Sequence, residues 1–196
     1  MNIQNPQTPF MIEFLGTPEA GKTTTIHRLE EVMSEKRKIS IIKESAEIVP
    51  AVFPKCSIEA HFWMRLTTAK TILEKQFSNN SDAILIDRVL IDTLFWNYYY
   101  GSAGKLTPDE VKHTNNFFQS IGIKFPDIVV FLSTTPEEAI RRRGGEGRLV
   151  TLDFLKYFNS LLDCFMDTVS VPIVHLDTTG LSEDDVLKKV LENIPL

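Results

Sequence analysis

The 196-residue chain lacks most features that mark secreted, membrane-spanning or nucleic-acid-binding proteins. Its two cysteines, Cys56 and Cys164, lie far apart, without metal-ligand spacing or a disulfide framework, and are interpreted as small apolar residues. No apolar run is long enough to span a bilayer, and the net charge of -5 provides no broad basic surface. Residues 1–9 lack the basic-then-apolar pattern of a signal peptide. We therefore expect a soluble, cytoplasmic protein that binds neither membranes nor nucleic-acid polymers.

The chain also lacks internal repeats, low-complexity segments and any linker long enough to separate domains. With 43% hydrophobic residues, it is expected to form one compact domain at 10–196, preceded by a flexible tail at 1–9. Apolar strands alternate with helices, and the strands are predicted at 10–15, 39–43, 83–87, 127–132 and 172–176. This alternation predicts an α/β, three-layer sandwich in which helices cover both faces of a parallel sheet. The loops after the strands then meet at one edge, where such sheets bind ligands.

Two helices are predicted in some detail. One runs from a cap at Ser57 to about Phe77, and its apolar residues recur at helical spacing. They predict one apolar stripe, formed by Phe62, Leu66, Ala69, Leu73 and Phe77. A second helix begins at Leu90 and is predicted to close at Gly101.

Residues 16–23 read G-T-P-E-A-G-K-T, which is the G-x-x-x-x-G-K-[ST] spacing of a phosphate-binding loop. An apolar strand precedes the loop and a helix follows it, so phosphate would meet a helix N-terminus. Lys22 is expected to reach the β- and γ-phosphates, and the Thr23 hydroxyl to bind Mg²⁺. The remaining positions expected to contact the nucleotide are Gly16, Pro18, Glu19, Ala20 and Gly21. The motif predicts a protein that binds a nucleoside triphosphate together with Mg²⁺.

The pair Asp87-Arg88 directly follows the third predicted strand. A carboxylate at this edge can hold Mg²⁺ opposite Thr23, and an adjacent arginine can grip an acceptor or a transferring phosphoryl group. The alternative is that Asp87 only caps the next helix. Because a phosphate-binding loop needs an acidic partner for its metal, the sequence favours the functional interpretation.

Glu44 and Glu47 follow the second predicted strand. Either carboxylate could accept the proton of an acceptor hydroxyl as that hydroxyl attacks the γ-phosphate. They could equally be solvated loop acids. Glu44 is preferred because it stands at the strand end, but the general base remains open between Glu44, Glu47 and Asp87.

Residues 141–148 read R-R-R-G-G-E-G-R, an arginine cluster interrupted by glycines between two predicted helices. Phosphoryl transfer requires positive charge on the developing equatorial oxygens, and glycines allow a loop to swing. We therefore predict a mobile lid near 141–149 that carries catalytic charge. The alternative is a basic helix C-terminus with a glycine cap, which leaves the later glycines and Arg148 unexplained.

His61, Trp63 and Arg65 lie on the helix after the second strand and could line an acceptor pocket. Trp63 would then stack on a flat ring. Such residues are more often part of a core or a surface, and this alternative is favoured for all three.

The loop G-T-P-E-A-G-K-T-T, the strand-end Asp87-Arg88 and the arginine-rich segment after Thr135-Pro136-Glu137-Glu138 together resemble the thymidylate kinase and deoxynucleoside kinase group. The resemblance covers most of the chain, although Pro18 and Val89 depart from residues usual in the group. It implies the fold of P-loop NTPases, with five parallel strands in the order 2-3-1-4-5, and γ-phosphoryl transfer from ATP to a nucleoside or nucleotide. It further implies triphosphate contacts from Gly21, Lys22, Thr23 and Thr24, an acceptor near Arg88 and Glu44, and lid charge at Arg142, Arg143 and Arg148.

Two other functions remain open at this point. The protein could be a kinase of a non-nucleoside small molecule, or a regulatory ATPase or switch with a protein partner. The chain carries neither an Asn-Lys-x-Asp base-reading motif nor the Ser-Gly-Gly run of transporter ATPases, so the second alternative is less favoured. The oligomeric state is open as well, with a homodimer among the options.

Overall fold

The computed structural model describes residues 8–54, 57–78, 80–143 and 151–195. Its strands are β1 (Phe10–Gly16), β2 (Ile39–Ile42), β3 (Ala83–Asp87), β4 (Ile128–Ser133) and β5 (Ile173–Asp177). Its helices are α1 (Lys22–Ser34), α2 (Ile58–Phe77), α3 (Leu90–Ser102), α4 (Pro108–Ser120), α5 (Pro136–Arg143), α6 (Leu152–Met166) and α7 (Glu183–Asn193). A short 3-10 helix at Ser45–Ile48 lies between β2 and α2.

The strands form one parallel sheet in the order β2-β3-β1-β4-β5. The central strand β1 pairs with β3 on one side and β4 on the other, with Phe14 opposite Asp87 and Gly16 opposite Leu132. The carboxyl ends of these three strands therefore lie side by side. The predicted fold class and strand order are confirmed.

Side-chain alternation along β1 explains why helices cover both faces of the sheet. Ile12 and Phe14 point to one face, where they pack with residues of α1 and α7. Met11 and Leu15 point to the other face, which is covered by α2, α3, α4 and α6. Glu13 shares this second face, although its neighbours there are apolar. Because burying a carboxylate costs free energy, Glu13 requires hydrogen-bond partners inside the molecule.

The apolar stripe predicted on α2 is wrong for three of its five residues, whereas Ala69 and Leu73 pack into the core. Phe62, Leu66 and Phe77 are 38%, 63% and 69% exposed, whereas His61 and Arg65 are buried. The buried polar side chains find hydrogen-bond partners on α3 and α4. Tertiary hydrogen bonding has therefore decided which face of α2 turns inward, against the order of side-chain hydrophobicity.

The predicted end of α3 at Gly101 is also wrong, since the helix continues to Ser102. Gly101 lies inside the helix, where an added Cβ atom would approach a methyl group of Val111 to 2.9 Å. The glycine is therefore a close-packing position between α3 and α4 and not a helix stop. Among the described residues, no helix is both long and apolar enough to cross a membrane.

Candidate active site

The phosphate-binding loop leaves the end of β1 through a turn that only glycine can make at position 16. Gly16 has φ = 148°, and a Cβ atom there would lie 1.8 Å from the carbonyl oxygen of Leu132. The loop is closed by an N–H···O bond from Thr17 to the same carbonyl at 3.0 Å. Gly21, with φ = 88°, then opens α1. The loop residues therefore stand at a helix N-terminus, which favours an anion.

The side chain of Lys22 is buried beneath this loop. It is 6% exposed, and its Nζ donates a hydrogen bond of 2.6 Å to the carbonyl oxygen of Thr17. Burial, and then the nearby Arg88 cation, lower the pKa of Lys22 well below its usual value, while neighbouring carboxylates oppose that shift. The Lys22 side chain is thus desolvated, and its electrostatic interaction with a bound phosphate would be stronger there than in water.

Thr23 and Asp87 contact each other directly. The Thr23 hydroxyl donates a 2.7 Å hydrogen bond to Oδ2 of Asp87, at the carboxyl end of β3. The other oxygen, Oδ1, is buried and has no hydrogen-bond partner in the described part of the chain. Asp87 therefore does not cap α3, as the alternative interpretation required, and no side chain of its own neighbourhood caps that helix.

The Thr23 hydroxyl and the Asp87 carboxylate could provide part of a Mg²⁺ coordination shell. A hydroxyl and one unpartnered carboxylate oxygen are ligands that Mg²⁺ accepts, and it normally completes its shell with water and substrate phosphates. Within residues 8–54, 57–78, 80–143 and 151–195, no three His, Cys, Asp or Glu residues gather into a metal site. Thr23 and Asp87 would therefore hold the ion only together with a bound nucleotide.

Arg88 adopts a backbone conformation that is costly for a non-glycine residue, with φ = 53°. Its N–H donates to the carbonyl oxygen of Phe14, and its guanidinium donates to the carbonyl oxygen of Gly16, both at 3.2 Å. These bonds attach Arg88 to β1 at the point where the phosphate-binding loop begins.

Two further carboxylates, Glu44 and Asp92, lie near Lys22 and Arg88. Glu44 lies just beyond the end of β2, and Arg88 directly follows the neighbouring strand β3. Burial raises the pKa of Glu44 and Asp92, and in both cases Arg88 is the main opposing influence. Asp92, which also accepts a hydrogen bond from Trp96, was not identified from the sequence. Nothing in its local sequence distinguishes it from an ordinary acid in the first turn of a helix.

Glu13 is the second polar residue that the sequence analysis missed. Its side chain is fully buried, and Oε1 accepts hydrogen bonds from the backbone N–H groups of Val89 (3.0 Å), Ile91 (2.8 Å) and Asp92 (3.2 Å). Burial raises the pKa of Glu13 to about 7, while the three backbone bonds act against the rise. The signal that could have identified it is a single acid inside an apolar strand.

Arg142 and Arg143, at the end of α5, both approach the phosphate-binding loop. The Arg142 guanidinium donates to the carbonyl oxygens of Glu19 (3.1 Å) and Thr178 (2.6 Å), and to Oε1 of Glu138 (2.9 Å). Arg143 lies 4.0 Å from the Glu19 carboxylate. Arg148 and the other lid residues at 144–149 lie outside the described residues, so the lid stays a prediction.

A cavity of about 630 Å³ opens between the start of α1 and the turn after β5. Gly21, Thr24, Arg28, Arg142 and Ser182 are among its lining residues. The phosphate-binding loop and this cavity are therefore continuous.

The hydrogen bond and ring contacts of Arg65 outside its own helix are with α4 and not with the phosphate-binding loop. Arg65 donates a 3.0 Å hydrogen bond to the carbonyl oxygen of Thr114, and its guanidinium lies over the rings of Phe117 and Phe118. Trp63 is half-buried on α2. A role for either residue in acceptor binding stays a prediction.

A buried polar chain joins α2, α3 and α4 beside Arg65. Nε2 of His61 and Oδ1 of Asn97 are 2.7 Å apart, and Nδ2 of Asn97 donates to Oδ1 of Asn115 at 2.7 Å. Burial lowers the pKa of His61 to about 4, so the imidazole is neutral at physiological pH.

We expect this histidine to make the fold sensitive to acid. Between the unfolded pKa of 6.5 and the folded value of about 4, the unfolded chain binds a proton that folded His61 does not. The stability that neutral His61 contributes is therefore lost as the pH falls through this window, by about 3 kcal/mol at its lower end. Urea unfolding of wild type and of His61→Gln at about pH 7 and pH 4.5 isolates this contribution, because Glu13 and the other titrating groups are common to both proteins. The wild type should lose more stability between these two pH values than the variant. The exposed His113→Gln variant is the control, and an unchanged pH dependence in His61→Gln would contradict the assignment.

The fold and the site define a P-loop kinase: a phosphate-binding loop after β1 faces an Asp-Arg pair at the end of β3. The chain is 30% identical over 151 residues to the thymidylate kinase of Caldanaerobacter subterraneus subsp. tengcongensis, which covers 69% of each chain. It belongs to the thymidylate kinase family, within the thymidylate kinase and deoxynucleoside kinase-like group of P-loop kinases. The protein is therefore an enzyme. No family model matches the chain.

Solved structures agree with the fold at lower sequence identity. Deoxyadenosine kinase from M. mycoides, in a structure with dCMP and a flexible dCDP bound, superposes with a TM-score of 0.71 at 18% identity, covering 93% of this chain and 97% of the other. Thymidylate kinase from Candida albicans superposes with a TM-score of 0.67 at 18% identity, covering 94% and 90%.

Proposed function

We propose that the protein transfers the γ-phosphoryl group of magnesium-bound ATP to a hydroxyl group of a nucleoside. The observation that carries this proposal is the 2.7 Å hydrogen bond between Thr23 and Asp87. It joins the phosphate-binding loop to the acid at the end of β3, beside Lys22 and Arg88. The kinases that the chain resembles support the nucleotide chemistry.

The triphosphate would occupy the loop and the start of α1. Backbone N–H groups at the helix N-terminus receive the phosphate oxygens, and Lys22 supplies a positive charge from its buried position. The adenosine part would extend into the adjoining cavity, past Thr24 and towards Arg142. Thr23 and Asp87 would hold Mg²⁺, which would neutralise part of the negative charge on the transferring phosphate.

The acceptor hydroxyl would approach from the side of Glu44 and Arg88. Its oxygen forms the new bond to the γ-phosphorus as the bond from that phosphorus to the β-phosphate oxygen breaks, and ADP leaves. The hydroxyl proton passes to a carboxylate, and we assign this role to Glu44, which lies just beyond the end of β2 and interacts electrostatically with Arg88. Its raised pKa suits it to accept that proton.

The charges around this site favour a neutral acceptor. Among the charged groups that act most strongly on Lys22, three are carboxylates (Asp87, Asp92 and Glu44) and one is a cation, Arg88. A metal ion would offset Asp87, which leaves Glu44 and Asp92 close to any acceptor. A monophosphate brings two negative charges into the same region and would be repelled, whereas a nucleoside brings none.

A coupled assay of ADP release across nucleosides and their 5′-monophosphates tests this function. We expect at least one nucleoside to accelerate ADP release about tenfold over the rate without acceptor, and its monophosphate to be the poorer substrate. If no acceptor accelerates the reaction, the proposed function is wrong. If a monophosphate is consistently faster than its nucleoside, the kinase assignment stands and the neutral acceptor is wrong.

A further inference from the structure

The N-terminus of α3 has no cap from its own sequence. Its N-cap residue is Val89, with φ = -121° and ψ = -68°, and no side chain in the usual capping position bonds to the helix. A helix start normally needs acceptors for its first N–H groups. Here the acceptor comes from another strand, because Oε1 of Glu13 receives the N–H groups of Val89, Ile91 and Asp92.

This remote cap lies directly after a strained residue. Arg88 has φ = 53°, a value that persists in a side-chain-bearing residue only when the surroundings hold it. On its N-terminal side, Asp87 is fixed by the β1–β3 register and the Arg88 N–H by the carbonyl oxygen of Phe14. On its C-terminal side, the hydrogen bonds to Glu13 fix the chain from Val89 onward. The turn is thus held from both sides by β1.

Glu13 is a costly residue for a merely structural position. A buried carboxylate must be desolvated, and an apolar residue of similar size would suit a strand whose neighbours on the same face are Met11 and Leu15. Its second oxygen, Oε2, is buried and has no partner among the described residues. What the carboxylate offers instead is one oxygen that accepts three N–H groups at the positive end of a helix.

We propose that Glu13 is a positioning residue for phosphoryl transfer, which holds the turn at Asp87-Arg88 in its active geometry from inside the sheet. The inference rests on the proposed function, because it assumes that Asp87 and Arg88 act on the metal and the transferring group. Glu13 itself touches neither substrate. Its effect passes through the backbone of 88–92.

Two variants test separately the negative charge of the Glu13 carboxylate and the length of its side chain. Glu13→Gln keeps a carbonyl oxygen at the same distance from the backbone, whereas Glu13→Asp keeps the charge but withdraws the oxygen by one methylene group. We expect Glu13→Asp to lower kcat about 100-fold with the KM for ATP unchanged, because a small misplacement of a catalytic group has an effect of this size. Glu13→Gln should lower kcat only a few-fold, because its neutral oxygen still accepts the same N–H groups but more weakly. The control is Ile72→Ala, a buried core substitution in α2, which should lower the melting temperature and leave kcat unchanged.

Amide hydrogen exchange over residues 88–92 provides a second measurement that does not need turnover. Exchange there should accelerate in Glu13→Asp and not in Ile72→Ala. If wild-type protein shows no acceptor-dependent turnover, the proposed function fails, but the exchange data still test whether Glu13 holds the turn.

The inference is overturned if folded Glu13→Asp keeps wild-type kcat, or if Glu13→Gln is as impaired as Glu13→Asp. Should Glu13→Asp not fold, Glu13→Gln carries the test alone, because its neutral oxygen is the weaker acceptor. It should then show faster exchange at 88–92 and a few-fold lower kcat. Wild-type values for both quantities would overturn the inference.

Discussion

Replacing Lys22 by alanine is expected to lower the rate of phosphoryl transfer about 1000-fold, a loss typical of a group that stabilises transition-state charge in a water-excluded site. The Lys22 ammonium is buried and hydrogen-bonded only to a backbone carbonyl of its own loop in the described part of the chain. Its desolvation opposes folding, so its removal should not unfold the protein. The loss should therefore appear in activity and not in stability.

The measurement is ADP release at saturating ATP and acceptor, together with the melting temperature of each variant. Lys36→Ala is the matched control, since Lys36 is an exposed lysine just beyond the end of the same helix. Activity of Lys22→Ala within tenfold of wild type would mean that the loop does not hold the transferred phosphate.

Replacing Asp87 by asparagine is expected to have the second-largest effect. The amide keeps the size of the side chain and a contact with Thr23, but it removes the negative charge that would hold Mg²⁺. We expect kcat to fall at least about 100-fold and the magnesium concentration for half-maximal activity to rise. Both changes follow from weaker binding of the ion beside the γ-phosphate.

A magnesium titration of turnover distinguishes this role from simple damage to the strand. The control is Asp82→Asn, which alters an exposed acid just before the opposite end of β3. Asp82 accepts a backbone N–H from Lys38 and lies at the amino edge of the sheet. If Asp87→Asn and wild type have superimposable magnesium curves, Asp87 is not a metal ligand.

The parts of the site that are local in sequence could be predicted from sequence. The loop at 16–23 and the acid at the end of a buried strand are adjacent-residue patterns whose chemistry depends little on the rest of the chain. The strand order was predicted from the resemblance to a kinase group and not from periodicity. Parallel strands with similar apolar runs carry no information of their own about which neighbours they choose.

The parts that depend on distant neighbours could not be predicted in this way. Glu13 acts on a helix that begins 77 positions later in the numbering of the chain, and its partners are backbone N–H groups, which every residue has. The buried face of α2 was mispredicted for a related reason. His61 and Arg65 are buried with hydrogen bonds to Asn97 and the Thr114 carbonyl, and neither partner is recognisable before the helices are packed.

The guanidinium of Arg142 connects three segments that are remote from one another in sequence. Through its bonds to Glu19, Glu138 and Thr178, it links the phosphate-binding loop, the first turn of α5 and the turn after β5. A displacement of any one segment stretches hydrogen bonds to the other two. A spectroscopic label on the turn after β5 would thus report nucleotide binding at the phosphate-binding loop without contacting the loop.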